Sequence, residues 1–342
     1  MVPALDHGRV YHCPNFCANL HKFSPSLSPM RPLFPAALRR GATIGIISPA
    51  SPQRDISRLH KGIRYLESLG YHVRVGDAAL RRHGGYLAGT DEERLSDIHT
   101  MFADRSVDAI FCARGGYGSA RLLRGLDMTL IRRNPKIFVG FSDITALQLA
   151  LWKGAGLVTF SGAMPSVDMV DGFDPHAEEQ FWRILTSRRT TGALTQPWPL
   201  TTLRAGDAEG RLLGGNLSVL VTLLGTPFMP SLRGALLALE DVGEETYRID
   251  RMLTHLAMAT ASARPSGVAY GYWSQSSRAR GTTPHRDVIE VLAERTDITR
   301  GPIVSELMYG HERTKLTLPF GVRCRLNTNT KRLTLLEAAV SG

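Results

Sequence analysis

A chain of 342 residues with 43% hydrophobic and 21% charged side chains is a folded globular protein, neither disordered nor fibrous, and long enough for two cores. No apolar run approaches the roughly 20 residues of a membrane-spanning helix, and four cysteines in this length make no disulfide framework. The formal charge of +10 suits an anionic partner, yet no dense Lys/Arg block with interleaved aromatics accompanies it, so it reads as a cationic surface or a pocket for a small anion rather than a nucleic-acid groove.

The first forty residues carry five basic side chains (Arg9, Lys22, Arg31, Arg39, Arg40), one acid (Asp6) and scattered prolines without periodicity. They lack the continuous apolar stretch of a secretory signal. Residues 1–40 are expected to be a disordered extension, mobile over 1–36, with ordered sequence beginning at Arg39-Arg40-Gly41. Cys13 and Cys17, with His12 and His21, are spaced like metal ligands, but no second Cys/His pair follows at zinc-finger spacing and no metal site is assigned. Cys112 and Cys324 lie in apolar strand-like runs, as buried free thiols do in a reducing compartment.

The β-branched run Ala42 to Pro49 predicts a buried parallel strand. A helix follows from about Asp55 to Leu69, with Ile56, Leu59, Ile63, Leu66 and Leu69 near 3.6 spacing and Gly70 as its stop. Tyr71–Val75 reads as a second strand. Thr90 and Glu93 form a capping box for a helix carrying Leu95, Ile98 and Met101. Val107–Ala113 is a third strand, Ile137 into Ser142 a fourth, and Leu157–Phe160 a fifth. Such alternation predicts an α/β fold, with a Rossmann-like, mainly parallel sheet domain over residues 41–165 whose ligands bind at the strands' carboxyl ends. Residues 166–200 are rich in turn formers and read as a linker. Over 201–342 the pattern becomes α+β with a barrel-like sheet: strands at Gly234–Glu240, Ser266–Trp273, Ile303–Glu306 and Lys315–Leu318, and helices at Thr246–Met258 and about 285–295.

Four places carry chemistry. Ser142 sits where an apolar strand breaks into a helix, which exposes a hydroxyl beside a helix's positive end; Ser142 and Asp143 equally suit a helix cap. Arg114-Gly115-Gly116-Tyr117-Gly118 lets backbone N–H groups approach a ligand, or simply makes a tight turn; it is not G-x-G-x-x-G and has no Walker lysine. Glu240 ends an apolar strand, as a surface turn residue or as a carboxylate that orients a histidine, while Asp241 and Glu244 suit the turn. His311, in a Gly-flanked turn between strands, is a general-base candidate or a solvated side chain; His255 and His285 are weaker. The order Ser142…Glu240…His311 occurs in α/β-hydrolases, but Gly140-Phe141-Ser142-Asp143-Ile144 lacks the second glycine of their nucleophile elbow.

Taken in order, Ser48-Pro49-Ala50-Ser51, Ala113 to Gly118, Gly140 to Thr145, Thr159-Phe160-Ser161-Gly162, Gly214-Gly215-Asn216-Leu217, Leu239 to Glu244, Tyr247 to Arg251, and Gly310-His311 with Leu318 to Gly321 resemble the serine LD-carboxypeptidases of bacterial cell-wall recycling. The similarity runs from about residue 43 to 335. It implies Ser142 as nucleophile, His311 as general base, Glu240 as its orienting carboxylate, and Gly116 and Asp143 as backbone oxyanion-hole donors. Arg114, Tyr117 and Asn216 are the expected substrate contacts, with Arg248 a further cation for the substrate carboxylate. The family implies a metal-free, cofactor-free cytoplasmic homodimer, without nucleic-acid or membrane partners, that removes the terminal D-Ala from murein tetrapeptides. Microcin-immunity-type peptidases use the same triad on a peptidyl-nucleotide, and a non-catalytic binder on the same scaffold would leave the three side chains apart. Ser161-Gly162-Ala163-Met164-Pro165 departs from the family's frequent Ser-Gly-Pro-Met, and the first forty residues have no counterpart.

Overall fold

The computed structural model describes residues 31–276 and 286–342. In the first half, β1 (Thr43–Ile47), α1 (Ile56–Ser68), β2 (His72–Val75), α2 (Asp91–Ala103), β3 (Ala109–Cys112), α3 (Met128–Arg133), β4 (Ile137–Gly140), α4 (Thr145–Ala155) and β5 (Thr159–Ser161) alternate. Then come α5 (Pro175–Thr186), β6 (Thr201–Arg204), β7 (Asp207–Asn216), α6 (Leu217–Thr222), β8 (Leu236–Val242), α7 (Thr246–Ala259) and β9 (Gly267–Ser274). The chain closes with α8 (Val288–Glu294), β10 (Ile303–Ser305), β11 (Leu318–Phe320), β12 (Arg323–Asn327) and β13 (Arg332–Leu335).

The first sheet has the order β11-β5-β4-β3-β1-β2. Its five N-terminal strands are parallel, and every residue of β3, β4 and β5 is buried, as expected of strands covered on both faces. The strand order reverses between β1 and β3, which opens a crevice above their carboxyl ends. The predicted capping box on α2 is present, with the Thr90 hydroxyl accepting from Glu93 N–H and the Glu93 carboxylate accepting from Thr90 N–H. The second sheet, a curled half-barrel, runs β13-β12-β7-β8-β9-β10-β6, with β7 to β10 parallel and antiparallel strands at each edge. One hydrophobic cluster runs through both sheets.

Three expectations need correction. Residues 31–40 are docked: Leu33 pairs with Leu157 and Ala36 with Ser341, Ala37 and Leu38 are buried, and Leu38 N–H donates to Leu185 at 2.9 Å. Their apolar side chains give this stretch a face to bury. Residues 1–30, with the Cys13/Cys17/His12/His21 group, lie outside the described residues, as does His285. Residues 166–200 contain α5, whose Asp174 cap accepts from His176 and Ala177 N–H, and whose Phe181 meets Phe111 edge-on at 5.8 Å. The strand expected at Lys315–Leu318 begins three residues later, as β11, and it joins the first sheet, antiparallel to β5, instead of the second.

Candidate active site

Ser142 follows β4 and opens a single 3-10 turn, Ser142–Ile144, that runs into α4. Its φ of 65° lies in the left-handed region, which costs a non-glycine residue about 1–3 kcal/mol and clusters at functional turns. The turn is held by Asp143: its buried carboxylate accepts from Ser119 N–H at 2.8 Å and its carbonyl accepts from the Ser119 hydroxyl at 2.5 Å. Burial pushes the Asp143 carboxyl up, against these hydrogen bonds. Opposite stands the loop after β3. A Cβ on Gly115 would lie 2.9 Å from the Ser142 Cβ, and one on Gly116 (φ 120°) 2.3 Å from Ser51 Oγ. Only glycine lets this backbone come so close. Ser51, on the loop after β1, accepts from Tyr117 N–H at 3.1 Å and ties the two loops together.

Glu240 lies on β8, opposite Asn216 of β7. The register with β9 slips between Leu239 and Asp241, a bulge of the kind that re-aims side chains at functional sites. Glu240 is fully buried, and its Oε2 lies 2.7 Å from His311 Nδ1. His311 Nε2 is 2.9 Å from Ser142 Oγ. His311 reaches this point from the loop between β10 and β11, where buried Tyr309 bonds Ser161 Oγ through its hydroxyl at 2.7 Å. Its imidazole packs at 4.8 Å on the Phe141 ring, beside the nucleophile. Three side chains distant in sequence therefore form one hydrogen-bonded line.

A cleft of about 710 Å³ opens on this line, bounded by Arg114, Gly115, Gly116, Met164, Asp168 and Lys315 among others. Of the expected substrate contacts, Arg114 lines it, half-buried, while its Nη1 donates to the Pro52 carbonyl at 3.1 Å. Tyr117 does not: its exposed ring leans on Tyr86 at 5.8 Å, because the tight turn that presents Gly116 throws the next side chain outward. Asn216 is not among the residues lining the cleft either. It is 3% exposed and caps α6, and its Nδ2 donates to Glu240 Oε1 at 3.3 Å and to Asp241 Oδ1 at 2.9 Å. It stands behind the carboxylate, away from the cleft. Arg248 is exposed on α7 against Glu245 and the Tyr247 ring, outside the cleft lining. Buried Asp241 accepts from Ser218 N–H and its own neighbour Val242 N–H, and burial pushes its carboxyl up to about 6. Sequence reasoning missed Phe141, Asp168 and Lys315. A lysine heading the apolar run Leu316–Phe320 was the available signal.

A hydroxyl on a strained strand-to-helix turn, in line with an imidazole and a buried carboxylate, defines a serine-type hydrolase on an α/β scaffold. Comparison with known proteins narrows this. The LD-carboxypeptidase N-terminal domain matches residues 44–162 and the LD-carboxypeptidase C-terminal domain residues 209–326; the chain belongs to the LD-carboxypeptidase family. It is 40% identical to the "Probable murein peptide carboxypeptidase" of Bacillus subtilis, over 90% of this chain and 95% of that one. Among solved structures, the muramoyltetrapeptide carboxypeptidase from Oxalobacter formigenes superposes with a TM-score of 0.74 at 32% identity, covering 86% of this chain and 98% of that one. The microcin C7 self-immunity protein in its wild-type apo state gives a TM-score of 0.82 at 27% identity, covering 91% and 100%.

Proposed function

We propose that this protein is a serine carboxypeptidase that hydrolyses the bond between the L-centre of meso-diaminopimelate and the terminal D-Ala of murein tetrapeptides. The observation that carries the reading is the Ser142–His311–Glu240 line, with contacts of 2.9 and 2.7 Å ending on a fully buried carboxylate. Glu240 accepts from His311 Nδ1–H, which leaves the Nε2 lone pair to receive the Ser142 proton. The freed oxygen attacks the peptide carbonyl. The N–H groups of Gly116 and Asp143 stabilise the oxyanion, with the positive end of α4 behind them. His311 then protonates the departing D-Ala amine, and water, activated by the same imidazole, resolves the acyl-enzyme. The murein carboxypeptidases among its relatives support the substrate class. The reading puts the reaction in the cytoplasm, on a homodimer that takes peptide and not nucleic acid; the buried free thiols of Cys112 and Cys324 agree with a reducing compartment. No helix among the described residues is long and apolar enough to cross a membrane.

The test is release of D-Ala from purified tetrapeptide. Ser142→Ala is expected to lose at least about 10⁴-fold in kcat with an unchanged melting temperature; retained turnover would end the serine mechanism. A second reading draws on the higher superposition with the microcin self-immunity protein: the same triad acting on a peptidyl-nucleotide. Wild-type protein that cleaves such a conjugate and leaves tetrapeptide intact would select it. A scaffold that only binds fits poorly with three side chains at hydrogen-bonding distance.

A further inference from the structure

The cleft holds a cation that the triad does not use. Lys315 is 5% exposed, lines the cleft, and pairs its Nζ with Asp168, whose side chain is 6% exposed. Asp168 is fixed in turn by Met164 N–H, which donates to its other oxygen at 2.8 Å. An ammonium has three donors, and the one carboxylate oxygen of Asp168 takes one of them. The remaining capacity is buried next to the reacting groups. Lys315 Nζ stands 5.3 Å from the centre of the Phe141 ring, and the His311 imidazole packs on that same ring at 4.8 Å.

Chemistry fixes which cation a carboxypeptidase needs on this side. His311 protonates the leaving amine, so the amine nitrogen lies about 3 Å from Nε2 in the reacting complex. The carboxylate carbon of the leaving amino acid is two bonds further, about 2.5 Å from that nitrogen. A cation bonding that carboxylate at about 2.8 Å must therefore lie within roughly 9 Å of His311 Nε2. Arg114 belongs to the oxyanion loop, and its guanidinium is already bonded to the Pro52 carbonyl. Arg313 reaches back to the Asp171 carbonyl at 3.4 Å. Lys315 shares the imidazole's aromatic support and is buried, where a charge-assisted bond is strong.

Resting on the carboxypeptidase reading, we propose that Lys315 binds the free α-carboxylate of the leaving D-amino acid and so makes the enzyme an exopeptidase. Asp168 is a positioning residue that holds the ammonium against Phe141 until a substrate carboxylate shares it. An endopeptidase substrate, with an amide in place of that carboxylate, would leave the charge half-satisfied.

The experiment compares tetrapeptides ending in D-Ala acid and in D-Ala amide. Wild-type enzyme is expected to prefer the acid by about 10- to 100-fold in kcat/KM. In Lys315→Met the preference should fall to near one. Because that change alone strands Asp168, the double variant Asp168→Asn/Lys315→Met provides a neutral, foldable pocket and should show the same collapse. Lys315→Arg should keep part of the preference. Wild-type enzyme that treats acid and amide alike, or a double variant that keeps the preference, overturns the assignment while leaving the carboxypeptidase reading intact. Wild-type enzyme that cleaves neither peptide overturns both.

Discussion

Asn216 separates two ideas of this site, since a substrate contact and a support for Glu240 respond differently to its removal. Asn216→Ala deletes the α6 cap, in which Oδ1 accepts from Val219 N–H at 3.2 Å, at a cost of about 1 kcal/mol. It also deletes the Nδ2 donor shared by two buried carboxylates, at 3.3 Å to Glu240 and 2.9 Å to Asp241, at about 1.5–3 kcal/mol. The sum, about 2.5–4 kcal/mol, lowers the melting temperature by roughly 5–10 °C. Glu240, without its fixed rotamer, orients His311 less well, so kcat for D-Ala release should fall by about 10- to 100-fold with KM nearly constant. Asn216→Asp is the sharper variant. It keeps a good cap but adds a third carboxylate beside Glu240 and Asp241, so it should melt near the wild type when acidified and lose both stability and kcat toward neutral pH. A raised KM with unchanged kcat and unchanged melting, in either variant, would return Asn216 to the substrate side and refute this account.

Two further outcomes concern the same neighbourhood. Gly116→Ala would set a Cβ 2.3 Å from Ser51 Oγ at a φ of 120°, which should displace the oxyanion loop and cut kcat by about 10²-fold; near-normal D-Ala release would show that the loop tolerates a shift. Burial raises the Asp241 carboxyl to about 6 from an ordinary 3.8, so the folded state keeps a proton that the unfolded chain has released. That contribution is full below about pH 4 and lost as pH rises through about 6, a swing of about 3 kcal/mol. Urea unfolding of Asp241→Asn against wild type should accordingly move in the variant's favour by about that amount between pH 4 and pH 7.5, and a pH-independent difference would contradict it.

The elements legible in the sequence are those whose packing leaves a periodic trace. The buried parallel strands β1, β3 and β4 read as unbroken apolar runs, and α1 and α2 carry caps and stripes. By contrast, β7 begins Asp207-Ala208-Glu209-Gly210, polar and half-exposed before it pairs with β8, so it offers no alternation to find. The helix α5 did leave signals, Asp174-Pro175 at its start and Ala177, Phe181, Ile184 and Leu185 on one face, but turn formers on either side obscured them. Ser142 was legible from its strand-to-helix position. Glu240 and His311 were not legible singly, because their meeting depends on a β-bulge and on an irregular loop that no local pattern encodes. The resemblance to a family is what joined them.

The eight residues from His311 to Leu318 have a mechanical consequence. β11 is hydrogen-bonded to the edge of the nucleophile's own sheet, through Leu318–Ser161, Pro319–Phe160 and Phe320–Thr159. The base is thereby moored to the same framework as the alcohol it activates, although the chain passes through five strands of the second sheet, β6 to β10, between them. Hinge opening that parted the imidazole from Ser142 would have to peel away an edge strand, so substrate entry is better served by movement of surface loops. Severing the polypeptide after β5 would leave that sheet edge bare and the nucleophile without its base.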